Sequence, residues 1–343
     1  MTTQTNIEYQ NLRVFERLSD ASGWTPLVKL RKSLNAYPNA EVFAKIEFTN
    51  PMGSVKDRIA RYLINKAISE GSLKPGDTII ENSSGNTAMG LAMMAIENDL
   101  KCKIVVRSTT AKAKLDALRA VGADLILVDP SLPPEHPDSY NKKVYTILKD
   151  HPEYFFPDQH NNPDNNEAHY LTTGPEIWQQ MEGKIDYIVG GIGTGGTLTG
   201  AAKFLKEQDP SIKVIAVDPV GSVFYDYFKT GKLTEPSRYL IEGLGDEELI
   251  NCVDFEYIDD IIQVTNEQAI KYTRLLAKQE AILAGGSSGA ALFGVLHLLK
   301  TLPNKQNYRI VTIFPDSGNR YLSTIYNDDW IQEMGIDLKE VLE

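Results

Sequence analysis

Cysteine is scarce in this 343-residue chain: Cys102 and Cys252 are the only two, and neither lies in a CxxC or Cys/His spacing. That excludes a disulfide-built scaffold, leaves no metal site to expect, and suits a reducing cytoplasm. Long apolar runs are missing too, so no segment reaches the length needed to span a bilayer. Met1 to Asn11 is polar, without a basic start followed by an apolar stretch, so no export is expected. The Asn82-Ser83-Ser84 sequon is set aside for the same reason. Positive charge is in deficit: the formal net charge of -11 repels nucleic-acid phosphates and anionic lipid, and no basic patch offsets it. Small-molecule chemistry is the class left standing.

What is present reads as a globular α/β protein. Hydrophobic residues make up 42% and charged residues 24%, and the length suits two interlocked domains. Short β-branched segments at Val42–Lys45, Thr78–Ile80, Lys103–Val106, Asp124–Val128, Tyr187–Val189, Lys213–Val217 and Ile310–Phe314 read as strands. Amphipathic stretches between them, Lys56–Glu70, Thr87–Asn98, Lys112–Val121, Thr197–Gln208, Asn266–Gln279 and Ser288–Leu299, read as helices. The alternation predicts mostly parallel sheets with helices on both faces. It pauses between the Asp129–Pro137 loop and the Pro157–Asn166 run, which points to a domain junction near residue 152.

Parallel sheets collect ligands beyond the carboxyl ends of their strands, and three such loops are unusual. After Lys45, the run from Asn50 to Arg58 places Lys56 in the first turn of a helix, where the macrodipole lowers an amine's pKa, as a Schiff-base lysine needs. Taken alone, Lys56 reads first as a solvated surface lysine. After Ile80, Ser83, Ser84, Gly85, Asn86 and Thr87 open a helix with hydroxyls and N–H groups that can grip a carboxylate, or that simply cap the helix. After Val189, Gly190 to Thr197 offers free backbone N–H groups and two threonine hydroxyls to a phosphate. This last loop also satisfies G-x-G-x-x-G, with Asp218 where a dinucleotide fold keeps its ribose-binding acid, so a nicotinamide oxidoreductase is a rival. A single phosphate-bearing cofactor accounts for all three loops, whereas a nicotinamide leaves the first two unexplained. A fourth turn, Ala284 to Ala290, could set a hydroxyl against a ring nitrogen or use Ser288 as a helix cap.

Together these residues resemble the β-family of pyridoxal-phosphate (PLP) enzymes, the cysteine synthase and cystathionine β-synthase group, from about Leu18 onward. The resemblance rests on Gly23-Trp24-Thr25-Pro26-Leu27-Val28, on Gly53-Ser54-Val55-Lys56-Asp57-Arg58 and on the loops above, and His169 to Trp178 also follow the pattern. It implies fold type II, like the tryptophan synthase β-subunit, with a large PLP-binding domain from residues 1–49 and 152–343. Residues 50–151 would form a small mobile domain on the substrate side. It further implies that Lys56 carries the cofactor, that Asn86 bonds its ring oxygen, and that Gly193, Thr194, Gly195, Gly196 and Thr197 cup the phosphate. Ser287 would face the pyridine nitrogen, with Pro315 and Asp316 beside the cofactor. Ser83, Ser84, Gly85, Thr87 and Gln159 would hold the substrate carboxylate, while Gly243 and Asp246 belong to the loop near the substrate amine.

The implied reaction is β-replacement on serine, an O-activated serine or cysteine by a thiol, in a homodimer, with Lys56 shuttling the Cα proton. Ser287, being neutral, would leave the ring a weaker electron sink than an aspartate would. Gly285-Gly286-Ser287 and the run from Pro315 to Leu322 resemble cystathionine β-synthase more than a sulfide-using synthase, and a constitutive catalytic core without regulatory or haem segments is expected. Met52, Ala88 and Asp246 depart from the family pattern, and Asp246 could activate water or a weak nucleophile. Related reactions stay open: joining phosphoserine to glutamate to make a diaminopropionate precursor, and β-elimination of cysteine releasing hydrogen sulfide. So does a non-catalytic binding protein that keeps the fold.

Overall fold

The computed structural model describes residues 14–133, 135–303 and 307–338; the Met1 to Asn11 stretch read above lies outside them. Among the described residues nine strands form two sheets. The larger contains β1 (Leu27–Lys29), β2 (Ala40–Ile46), β6 (Tyr187–Gly191), β7 (Lys213–Pro219), β8 (Asp260–Val264) and β9 (Tyr308–Phe314), in the order β1-β2-β9-β6-β7-β8. All its pairings are parallel except β1 with β2. The smaller sheet is β3 (Thr78–Asn82), β4 (Lys101–Arg107) and β5 (Asp124–Val128), all parallel.

The chemistry of the strands explains their burial. Successive residues of a strand point to opposite faces, and the central strands are apolar on both. Val189 and Ile310 pack with the helices Asn266–Leu275 and Gly286–Thr301, whereas Ile188 and Val311 pack with Thr173–Gln180 and Gly196–Gln208. The small sheet is covered in the same way, by helices Lys56–Ser69, Asn86–Glu97 and Lys112–Ala120 on one side and Lys143–Asp150 on the other. In the large sheet, β6 runs on to β7 and β8 in one direction while β9 and β2 lie in the other. The loops after β6 and β9 therefore flank the switch point where parallel sheets leave a crevice.

All seven strands expected from the sequence are present, most of them a residue or two longer. Two were missed: β1, a three-residue edge strand, and β8, which Asp260 and Gln263 make less apolar than its neighbours. The expected helix Asn266–Gln279 is corrected: its α-helical part ends at Leu275, a π-helical turn follows over Leu276–Glu280, and Ala281 closes it in the left-handed conformation. The apparent pause around residue 152 contains the helix Lys143–Asp150, and the Asn-rich run opens another, Asp164–Leu171, which Pro163 precedes as the residue with preset φ.

A buried ion network holds the helix Lys56–Ser69 against the large sheet. The Arg58 guanidinium donates to Glu47 at 2.7 and 2.8 Å and to Glu176 through two bonds of 2.7 Å. Lys45 of β2 adds an ammonium 2.8 Å from Glu176, and the Thr25 hydroxyl donates to Glu47 at 2.6 Å. Two cations thus meet two carboxylates, all almost wholly buried. Burial by itself pushes the Glu47 carboxyl up, and Arg58 with Lys45 overrides it and holds the group below its ordinary range. Removing one partner strands an uncompensated buried charge, which costs about 3–5 kcal/mol. Arg58→Leu is expected to lower the unfolding free energy by that order, read as a lowered denaturation midpoint; an unchanged midpoint contradicts the assignment.

Candidate active site

Seven chain segments converge near the carboxyl ends of the two sheets. The backbone N–H of Val55 donates to Pro315 O at 2.8 Å and Ser54 pairs with Asp316, so the loop after β2 is clipped to the loop after β9. Lys56 follows as the first residue of its helix, and its Nζ donates to Thr194 Oγ1 at 3.2 Å, which brings it to the glycine loop after β6. Asn165 also donates to Thr194 Oγ1, at 3.1 Å. The surface-lysine alternative is thereby corrected: the amine points inward, and burial lowers its pKa from 10.5 to about 8.

The glycine loop is shaped by close approach. Gly195 has φ +85°, and a Cβ at Gly196 would lie 2.1 Å from Asn165 Oδ1, while one at Gly193 would lie 2.2 Å from Gly243 O. The helix Gly196–Gln208 starts there with no side chain capping it. The Thr197 hydroxyl lies 3.1 Å from His169 Nε2, whose Nδ1 meets Thr173, and burial keeps that imidazole neutral. Asp218, the rival reading's ribose acid, is fully buried and accepts from Tyr225 N at 3.0 Å, where it caps the next turn. It is not placed to reach a ribose.

From the small sheet, Asn86 donates to Asp316 Oδ2 at 2.8 Å, and Tyr321 donates to the same oxygen at 2.7 Å. A Cβ at Gly285 would sit 2.0 Å from Asp316 Oδ1, which ties in the start of the helix Gly286–Thr301 carrying buried Ser287. Ser288 does not cap that helix; its buried hydroxyl has no partner. In the carboxylate loop, Ser83 Oγ accepts from Gly85 N and Ala88 N, so this one hydroxyl does serve the helix start. Thr87 donates to Gln159 Oε1 at 2.6 Å, which joins two expected carboxylate contacts. Gly243 and Asp246 approach from the far side, with Gly245 N bonded to Ile192 O at 2.7 Å. Asp246 Oδ1 accepts from the Glu247 and Glu248 N–H groups, which fixes its turn.

The residues present fit a polar, phosphate-bearing ligand. Asn86 Oδ1, Asn165 Oδ1, Ser288 Oγ and Asp316 Oδ1 are all buried without a partner, an arrangement that costs stability unless a ligand satisfies it. A Cβ at Gly85 would meet nothing within 4 Å, so space stays open beside these groups.

The comparisons with known proteins decide which ligand. The family described as "Pyridoxal-phosphate dependent enzyme" matches residues 18–316. The chain belongs to that family. Cysteine synthase from Staphylococcus aureus (strain Mu50 / ATCC 700699) is 41% identical over 316 residues, covering 92% of this chain and 98% of that protein. Cystathionine β-synthase from Apis mellifera is 40% identical over 324 residues, and the match spans 94% of this chain but only 64% of the honeybee protein. The solved O-acetylserine dependent cystathionine β-synthase from Helicobacter pylori superposes with a TM-score of 0.82 at 37% identity, covering 92% and 100% of the two chains. The protein is a PLP-dependent enzyme with the fold-type-II architecture that the sequence implied. Among the described residues no helix is long and apolar enough to cross a membrane.

Several site residues escaped the sequence reading. Glu47, Glu176 and Lys45 belong to the network behind Lys56, and Asn165 joins the glycine loop. Glu81 is fully buried in β3, and the signal available was an acid directly after the apolar pair Ile79-Ile80. Its oxygens accept from Asn82 N at 3.1 Å and Gln159 N at 3.4 Å, and burial raises its pKa from 4.5 to about 8. Between those values the folded protein keeps a proton that the unfolded chain has lost, so this group weakens stability as pH rises. Glu81→Gln removes that contribution. The variant should gain stability relative to the parent between pH 5 and pH 8, read from denaturation midpoints; parallel pH profiles would refute the assignment.

Proposed function

We propose that this enzyme replaces the β-substituent of serine or an O-activated serine by a thiol. One observation carries the reading: a lysine whose pKa is lowered to about 8 bridges two otherwise distant parts of the chain, the helix start after β2 and the glycine loop after β6. At neutral pH an amine of that pKa is about a tenth unprotonated, whereas an ordinary lysine is almost wholly charged and unable to act as base or nucleophile. Pyridoxal phosphate, when bound, supplies the electron sink that acidifies the Cα hydrogen of an attached amino acid.

The chain's own residues divide the remaining work. Lys56 Nζ holds the cofactor, then takes the Cα proton and later returns it. The N–H groups of Gly193 to Thr197 grip the phosphate, and Asn86 and Ser287 orient the ring, with Asp316 steadying Asn86. Ser83, Ser84, Gly85, Thr87 and Gln159 receive the substrate carboxylate. Residues 50–151 are read as the mobile part, and the Lys114–Glu242 ion pair and the Asn86–Asp316 bond join it to the large-sheet side. We read the enzyme further as a homodimer of the cytoplasm; its two buried free thiols suit a reducing compartment.

The names of the relatives support the thiol reaction, which the phosphoserine–glutamate and cysteine β-elimination alternatives share up to the departure of the β-substituent. Product analysis with serine, acetylserine, phosphoserine and cysteine, each offered with thiol and amine nucleophiles, distinguishes them; the expected product is a thioether or cysteine. Lys56→Ala should cost at least about three powers of ten in turnover, on the scale typical of general acid–base groups. Turnover within tenfold of the parent would refute the role of Lys56.

A further inference from the structure

β3 is an edge strand of the small sheet, and the segment that leads to Gln159 runs alongside its open edge. Phe155 N donates to Thr78 O and Ile80 N donates to Phe155 O, both at 2.9 Å, so Ile79 and Phe155 pair as parallel strand residues. In a parallel ladder the next donor along this segment is the amide of residue 157, and Pro157 has none. The ladder ends there. β3 runs on into the Ser83–Thr87 loop, whereas the other segment turns at Asp158, whose φ of +48° is uncommon outside glycine. The Asp158 carbonyl closes that turn by accepting from Asn161 N at 3.1 Å and Asn162 N at 2.9 Å.

The fully buried carboxyl of Glu81 lies at the break. Oε1 accepts from Asn82 N at 3.1 Å, which anchors the side chain to its own strand, and Oε2 accepts from Gln159 N at 3.4 Å, which carries the anchor across to the residue after the turn. Glu81 thus replaces the ladder that Pro157 cannot continue. An apolar side chain would fill the same place without burying an acid, but it would leave both N–H groups unpaired.

Gln159 is held from its other end as well. Its carbonyl accepts from Asn165 Nδ2 at 2.7 Å, and the same Nδ2 reaches Thr194 Oγ1 of the glycine loop. Its side-chain oxygen is occupied by the Thr87 hydroxyl at 2.6 Å, which leaves the Nε2 end of the amide to donate to an anion. Only the Glu81 contact ties the Gln159 N–H to the strand from which the serine loop springs.

We propose that Glu81 is a positioning residue of the substrate-carboxylate site: by holding the Gln159 backbone to β3, it sets the Gln159 amide where that amide and the Ser83–Thr87 loop bind one carboxylate. The inference deepens the β-replacement reading and rests on it, because Glu81 acts only through Gln159.

The test is a double-mutant cycle on the holoenzyme at neutral pH. It reads the serine or acetylserine concentration that half-develops the visible absorbance change, and kcat with a thiol acceptor. Gln159→Ala should raise the half-saturating donor concentration by roughly tenfold, the scale of one charge-assisted bond. Glu81→Leu should raise it by a similar factor while kcat at saturating donor moves by less than about threefold, the pattern of lost substrate binding. Adding Glu81→Leu to Gln159→Ala should bring no further rise, because the residue through which Glu81 acts is gone. Glu81→Gln keeps one carbonyl acceptor and should fall between the parent and Glu81→Leu; it replaces the leucine variant in the cycle if that variant does not fold. Additive effects in the cycle, a fall in kcat as large as the loss of donor affinity, or an unchanged affinity in both Glu81 variants overturn the proposal. If Gln159→Ala leaves donor affinity unchanged, the placement of Gln159 fails and the Glu81 assignment with it. If neither donor changes the absorbance of the parent, the β-replacement reading itself fails.

Discussion

The Arg58 guanidinium, buried between the carboxylates of Glu47 and Glu176, fixes the place from which Lys56 enters the site. Only Asp57 separates Lys56 from this anchor. Each carboxylate comes from a different part of the large sheet's surroundings, one from the turn after β2 and one from the helix Thr173–Gln180. Because the partners neutralise one another inside an apolar setting, the helix start cannot shift without exposing or orphaning a charge. The Gly23-Trp24-Thr25-Pro26 motif finds its physical reason in the same network: Thr25 donates to Glu47, and its carbonyl accepts from Lys45.

A fixed amine matters because the rest of the site is assembled from loops belonging to two sheets. The large sheet contributes the glycine loop, the Pro315–Asp316 turn and the start of the helix carrying Ser287; the small sheet contributes Ser83 to Thr87. The halves meet through the buried Arg58 network and an apolar seam of Ile59, Leu63 and Ala168, and nearer the site through polar contacts, Asn86 with Asp316, Lys114 with Glu242, and Arg320 with Met52 O at 2.6 Å. The polar contacts nearer the site can break and re-form against water, unlike the apolar seam at Ile59, Leu63 and Ala168. Such an arrangement suits an enzyme that must admit substrate and then exclude water from an acidified Cα–H bond.

Much of this was legible in the residues alone, for identifiable reasons. Parallel strands buried on both faces leave continuous β-branched runs, so the seven longest or most apolar strands stood out. Glycine loops at strand ends announce close backbone approach, and Gly193 to Thr197 is such a loop. Edge strand β1 is too short to show a period, and the π-helical turn at Leu276–Glu280 has the same composition as the α-helix it continues. Long-range pairing was invisible as well: nothing near Arg58 in the chain announces Glu176. Met52 and Ala88, departures from the family pattern, are accommodated by packing, Met52 half-buried with its N–H on Asp57 and Ala88 fully buried in the small-sheet core.

The most direct measurement of the central claim is borohydride reduction of the purified protein followed by peptide mass analysis. The account places a reduced pyridoxyl-phosphate adduct on the peptide containing Lys56. An adduct on any other lysine, Lys45 included, or no adduct at all, contradicts it.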